Sequence, residues 1–126
     1  FELLEEGIIK MDKEKIVLGS LISGLGFGNA STTLGHALSY VFSNEGIPHG
    51  HALAYTTTIA HKFNESIFCK RFEKIVNQLG FEKITLKIDL DKASEIILDD
   101  RKHLDNNPKN VTKQDIIQLL ESIIKN

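Results

Sequence analysis

Residues 33–63 read TLGHALSYVFSNEGIPHGHALAYTTTIAHKF, and the way this stretch breaks in its middle decides the fold. Apolar residues recur at three- and four-residue intervals on both sides of the segment Ser43-Asn44-Glu45-Gly46-Ile47-Pro48, which is itself a turn signal. The pattern predicts one helix from about Thr33 to Phe42 and another from about His49 to Phe63. Pro48 suits the start of the second helix, because its missing N–H would have no intrahelical partner there.

Working outward, the same spacing of Leu, Ile and Ala, with only two prolines in 126 residues, predicts an all-α chain. A helix is expected from about Asp12 to Phe27, capped by Asp12, with Ile16, Leu21 and Leu25 as its apolar face. Ser20, Gly24 and Gly28 fall four apart on it. Glycine lowers helix propensity by about 1 kcal/mol relative to Ala, so this register predicts a backbone packed closely against a central helix. Downstream, an amphipathic helix from about Ser66 to Leu79 should stop at Gly80. Phe81 to Ile88 alternates weakly and reads as a connection rather than a strand. Helices from about Asp91 to Leu98 and from Thr112 to Ile124 should follow, separated by Asn106-Asn107-Pro108, with Thr112 and Asp115 in capping-box spacing.

Composition removes several function classes. A formal charge of −2 leaves no excess of Lys and Arg to neutralise a phosphate backbone, so nucleic acid is a poor partner. No apolar run reaches the roughly 18–20 residues of a membrane span. The lone Cys69 cannot form an internal disulfide, and a cytoplasmic location is expected. The opening Phe1-Glu2-Leu3-Leu4-Glu5-Glu6 is already amphipathic, so the chain reads as a segment of a longer protein entered partway through a helix.

Four of the five histidines lie between positions 36 and 61, and His36 and His49 bracket the turn between the two defining helices. If those helices fold against each other, both imidazoles can face one cleft, where a divalent metal would reward convergence. Two histidines make an incomplete site, the spacing matches neither HExxH nor CxxC, and the alternative reading is a pair of hydrogen-bonded histidines at a helix junction. His51 follows His49 by two residues, which on a helix turns it about 200° away. His61 and His103 sit among polar residues and are expected to be solvated. Cys69 has no His or second Cys at motif spacing, and the acidic pairs Asp89/Asp91 and Asp99/Asp100 are expected to cap helices and face solvent.

The wording Gly35-His36-Ala37-Leu38-Ser39-Tyr40, followed by Gly46-Ile47-Pro48-His49-Gly50-His51-Ala52, resembles the motif region of the iron-containing alcohol dehydrogenases, roughly G-x-x-H-A-L-x-H, a short loop, then P-H-G. Asn29 and Ala30 match an upstream N-A-x-x-G-x-x-H pattern, and Phe63-Asn64 and Asn107-Pro108-Lys109-Asn110-Val111-Thr112 match landmarks downstream. The resemblance implies that residues 1–126 form the C-terminal helical metal-binding domain of the dehydroquinate synthase-like, iron-dependent alcohol dehydrogenase fold. His36 and His49 would then be metal ligands for Fe²⁺ or Zn²⁺. An Asp and another His would come from an upstream helix, and NAD(P) would bind an N-terminal α/β domain. The activity implied is hydride transfer between the nicotinamide and a small aldehyde or alcohol, in a homo-oligomer.

Departures from the pattern mark further residues. Tyr40 stands where the family has a second His near nicotinamide and substrate, which implies a catalytic position held by a phenol. Its loop to His49 is one residue shorter, and Thr57-Thr58 replace a Leu-Pro that would kink the helix. His51 is the candidate substrate contact. The H-A-L-S-Y and G-I-P-H-G-H-A wording is most similar to the branch that includes phosphonoacetaldehyde reductases. Two other readings stand beside this one: a helical interaction or regulatory module without chemistry, and an independent metal sensor.

Overall fold

The helix on which the larger part of the chain is arranged is α3 (Leu34–Asn44), whose Leu34, Ala37, Leu38, Val41 and Phe42 are almost wholly withdrawn from solvent. The computed structural model describes residues 1–28 and 32–125; Asn29 and Ala30, which carried part of the resemblance, lie outside them. Among the described residues the chain is all-helical and contains no strand. It divides into two compact units, Phe1–Ser31 and Thr32–Asn126.

In the first unit, α1 (Glu2–Lys10) packs on α2 (Lys13–Gly28). Met11, in the left-handed conformation, closes α1, and the Asp12 carboxylate accepts the Lys15 N–H at 3.2 Å, the cap expected of it. The close backbone approach expected at Ser20 and Gly24 occurs elsewhere. A Cβ added at Gly7 would lie 2.9 Å from the Ile16 amide nitrogen, and one at Gly19 would lie 3.0 Å from that of Leu4, whereas one at Gly24 would meet nothing. The α1 contact thus selects Ile16 and Gly19. Leu21 and Leu25, assigned to the same apolar face as Ile16, are exposed, as are Val17, Leu18 and Ile22.

In the second unit, α4 (His49–Phe63) folds back on α3 through the short link that Pro48 ends, and runs unbroken through Thr57-Thr58. Thr58 stays within the helix by donating its hydroxyl to the Ala54 carbonyl at 2.7 Å. Helix α5 (Cys69–Leu79) is shorter than predicted. Glu65, at a φ of 54°, turns the chain after α4, and residues 65–68 are spent in turns. Ile67, expected on the buried face, is therefore exposed, and only Ile75 and Val76 are buried on that helix. Gly80 closes α5 in the left-handed conformation, as its position predicted.

Residues 81–89 connect extended. Ile84 is buried with Leu86 and Ile88 packed behind it, while Lys83, Thr85 and Lys87 face out. The alternation is that of a strand, but the backbone is satisfied by side chains. Glu45 accepts the N–H groups of Lys87 and Ile88 at 2.8 Å each, and Tyr55 donates to the Phe81 carbonyl at 2.9 Å. Helix α6 (Leu90–Asp99) starts where Asp89 accepts the Asp91 and Lys92 N–H groups, the capping role expected of this acid. A single turn, α7 (Arg101–Leu104), which the sequence did not announce, precedes α8 (Lys113–Lys125). Helix α3 packs on α4, α6 and α7, α4 on α5 and α8, and α6 on α8. Ile97, Ile116 and Leu120 complete the core at zero exposure, each such side chain contributing about 1.5–3 kcal/mol by leaving water.

Thr112 and Asp115 form the expected reciprocal cap: the Asp115 carboxylate accepts the Thr112 N–H at 2.9 Å, and the Asp115 N–H reaches the Thr112 hydroxyl at 3.2 Å. Thr112→Ala should destabilise the chain by about 1 kcal/mol in urea unfolding. A pH effect is expected at His61, which is half-buried against Phe72 (ring centroids 5.1 Å) instead of solvated. Burial pushes its imidazole below the ordinary 6.5. The unfolded chain then binds the proton first, so stability is full above about pH 6.5 and falls as pH drops through the lowered folded value. The stability gap between wild type and His61→Gln should move in the variant's favour from pH 7.5 to pH 5; a gap independent of pH would refute this.

Candidate metal centre

Because positions 34, 35, 37, 38, 41 and 42 of α3 are all buried, the surface left to this helix at its centre is the line through His36 and Tyr40, one turn apart. His49 is the first residue of α4 and is exposed. The turn brings its ring to 5.5 Å from that of His36, crossing at 62°, and to 5.8 Å from that of Tyr40, nearly parallel at 12°. Three of the four residues singled out in the sequence thus meet at the α3–α4 junction. The Ser43 hydroxyl lies 3.4 Å from His49 Nδ1, a loose tether.

The fourth ring in the cluster is one the sequence reading had left to solvent. His103, on α7, is 8% exposed. Its ring stacks on that of His36 at 6.1 Å and 7°, and meets Tyr40 edge-on at 5.6 Å. Its Nδ1 lies 2.6 and 2.7 Å from the two carboxylate oxygens of Asp100. Asp100, expected to be a solvated cap, therefore ends its side chain on a buried imidazole. The physical reason is the break between α6 and α7: Asp100 at ψ 62° starts a new turn, and residue 103 is swung onto α3. Asp-x-x-His spacing at a helix break was the available signal.

His51 lies outside this cluster. Its Nε2 sits 2.5 Å from the Glu82 carbonyl oxygen and its ring stacks on Phe81 at 5.1 Å. Half-buried Cys69 lies at the start of α5, on the helix that packs on α4.

The electrostatics of the junction favour a neutral His36. Partial burial lowers its proton affinity, and any positive charge on His49 or His103 lowers it further. An imidazole that resists protonation keeps its lone pair available to a metal. Among the described residues no group of three or more His, Cys, Asp or Glu converges as a metal site. His36 and His49 are two imidazole donors at a partly exposed junction, a set that suits a divalent ion only as part of a larger coordination sphere. No described helix is long and apolar enough to cross a membrane.

A family model described as Fe-containing alcohol dehydrogenase family, C-terminal, matches residues 9–97. No curated protein and no solved structure matches the chain.

What fixes His36 on this face is its neighbour Gly35. A Cβ there would stand 3.0 Å from the Thr57 hydroxyl and 3.2 Å from the Thr57 Cα, and the backbone atom cannot step aside. Gly35→Ala gains about 1 kcal/mol of helix propensity but overpacks the α3–α4 contact at a cost of about 1–3 kcal/mol. A net destabilisation of about 1 kcal/mol is expected in urea unfolding, and a stabilised variant would show that the helices do not meet this closely.

Proposed function

Because the chain belongs to the iron-containing alcohol dehydrogenase family, as its C-terminal helical domain, we propose that it forms the metal-binding half of a metal-dependent, NAD(P)-linked alcohol dehydrogenase or aldehyde reductase. The observation that carries the reading is the convergence of His36 and His49 across the α3–α4 turn. These two residues hold the ion, Fe²⁺ or Zn²⁺, with the remaining ligands and the nicotinamide cofactor supplied by an upstream α/β half. A divalent ion held there supplies Lewis-acid polarisation of a carbonyl oxygen. His36 contributes through a lone pair that its surroundings keep unprotonated. Tyr40, exposed on the same face, places a phenol beside His49, where its Oη donates a hydrogen bond to the substrate oxygen. His51, tied to the Glu82 carbonyl away from the ring cluster, is the candidate substrate contact on the strength of the motif wording alone. The substrate is a small aldehyde or alcohol, with phosphonoacetaldehyde the first to test given the wording of the motif. A cytoplasmic homo-oligomer is the expected setting.

One observation favours a second reading, a helical interaction module without chemistry: Val17, Leu18, Leu21, Ile22 and Leu25 expose an apolar stripe along α2. Exposed stripes of this kind mark interaction surfaces, whether for a separate partner or for another domain of the same chain.

The two readings separate in one experiment. The full-length protein, loaded with Fe²⁺ or Zn²⁺, is assayed for NAD(P)H oxidation against a panel of aldehydes, and its metal content is measured beside that of His36→Ala and His49→Ala. Metal-dependent turnover that falls at least about 100-fold in each variant, with loss of bound metal, is expected. Inactivity with every metal and substrate would leave the interaction module.

A further inference from the structure

Asp100 and His103 lie beyond residue 97, where the family match ends, and the site proposed above does not use them. Their geometry is nevertheless specific. His103 is buried, and its ring nitrogen is held between both oxygens of a carboxylate that is itself largely withdrawn from water. A hydrogen bond to carboxylate at that nitrogen selects the tautomer with the proton on Nδ1 and fixes the rotation of the ring. The ring so fixed contacts both residues of the outward α3 line, lying parallel to His36 and edge-on to Tyr40. His36 and Tyr40 each also contact His49, so the four rings close a circuit in which every ring touches two others.

His103 is poorly placed to be a third metal ligand. Among the described residues no three His, Cys, Asp or Glu side chains converge as a metal site, so His103 does not join His36 and His49 on one ion, and its ring instead lies nearly parallel to that of His36. A buried, tethered ring packed on a candidate ligand without sharing its target has one remaining use at this junction. It limits the angles the ligand ring can adopt.

We propose that Asp100 and His103 act as a positioning pair: Asp100 locks His103, and the locked ring holds His36 and Tyr40 in the orientation that faces His49. The proposal rests on the reading of His36 and His49 as metal ligands. α3 presents His36 and Tyr40 at a partly open surface, where χ2 of a histidine has a broad torsional minimum. α6 and α7 are the elements of this unit, besides α4, that pack on α3, and the α6–α7 break is what delivers His103 there. Groups hydrogen-bonded to a metal ligand are worth about 10- to 100-fold in metal affinity, and a ring packed on the ligand is expected at the low end of that range.

The test uses the full-length protein and reads the metal, not turnover. Co²⁺ is titrated in competition with a chromophoric chelator, and its d–d absorption bands are recorded for wild type, Asp100→Ala, Asp100→Asn, His103→Phe and His36→Ala, with thermal unfolding of each as a control for folding. Asp100→Ala should weaken Co²⁺ binding about 10-fold or more and shift the bands. Asp100→Asn, whose amide oxygen can still accept the Nδ1–H, should restore most of both. His103→Phe keeps the ring but loses the tether, and should behave as Asp100→Ala does; this variant carries the test if Asp100→Ala does not fold. Unchanged affinity and bands in folded Asp100→Ala and His103→Phe, with binding lost in His36→Ala, would overturn the positioning pair and leave the metal site standing. Full Co²⁺ binding by His36→Ala would overturn the metal reading itself, and the pair with it.

Discussion

The approach of α3 to α4 at Gly35 is the contact on which the rest of the second unit depends. With hydrogen in place of a side chain, α3 lies against the Cα of Thr57, and a methyl group at that point would have to push the two helices apart by a few tenths of an ångström. That proximity buries one flank of α3, the packing of α6 and α7 buries another, and only the line of His36 and Tyr40 is left. The same proximity brings the first residue of α4 alongside them. The candidate site is thus a by-product of helix packing: two of its rings sit on the one strip of α3 that the core does not use, and a third sits at a helix start whose position Pro48 and the turn dictate.

The site and the core are therefore coupled through very few atoms. A buried leucine can be replaced by an isoleucine with some repacking, but a methyl group at position 35 acts directly on the spacing of the two helices that carry His36 and His49. Glu45 adds a second constraint on the turn, because its carboxylate holds the backbone of Lys87 and Ile88. The turn that aligns His49 is in this way anchored to the extended segment that carries Ile84 into the core. Helix packing on one side and a carboxylate clamp on the other leave the junction little freedom to open.

Much of this was legible in the sequence, and the failures share a cause. Local signals were sound: Asp12, Asp89, Thr112 with Asp115, and Gly80 all cap where their chemistry says they should. So were the helices carrying His36 and His49, since turn, proline and period agree there. What the sequence hid were consequences of tertiary placement. Ser20 and Gly24 have the spacing of a packing seam, but it is Gly19 and Gly7 that α1 and α2 use, because the crossing point is set by both helices together. His103 sits among charged residues in the sequence, a context that reads as solvent, and is buried because the chain breaks at Asp100 and turns α7 onto α3. A four-residue helix carries too little periodicity to be seen in advance. The roles of His36, Tyr40, His49 and His51 came from motif wording, and of these the structure gathers the first three.

Electrostatics give the phenol at position 40 a sense of its own. Three imidazoles already crowd this junction, and beside the burial of His36 any positive charge on the other two, His49 and His103, lowers its tendency to take a proton. A fourth imidazole in place of Tyr40 would add another potential positive charge within about 6 Å, the spacing of the rings present, with solvent on one side only to screen it. A phenol carries no positive charge in any protonation state. It fills the same ring-sized space, stacks on His49, keeps a hydrogen-bond donor on the exposed face, and leaves the metal-free cluster with less internal repulsion than four histidines would have. Two imidazoles from adjoining helices, one tethered imidazole and one phenol thus meet through ring contacts, and the packing of α3 against α4 and α7 sets their spacing.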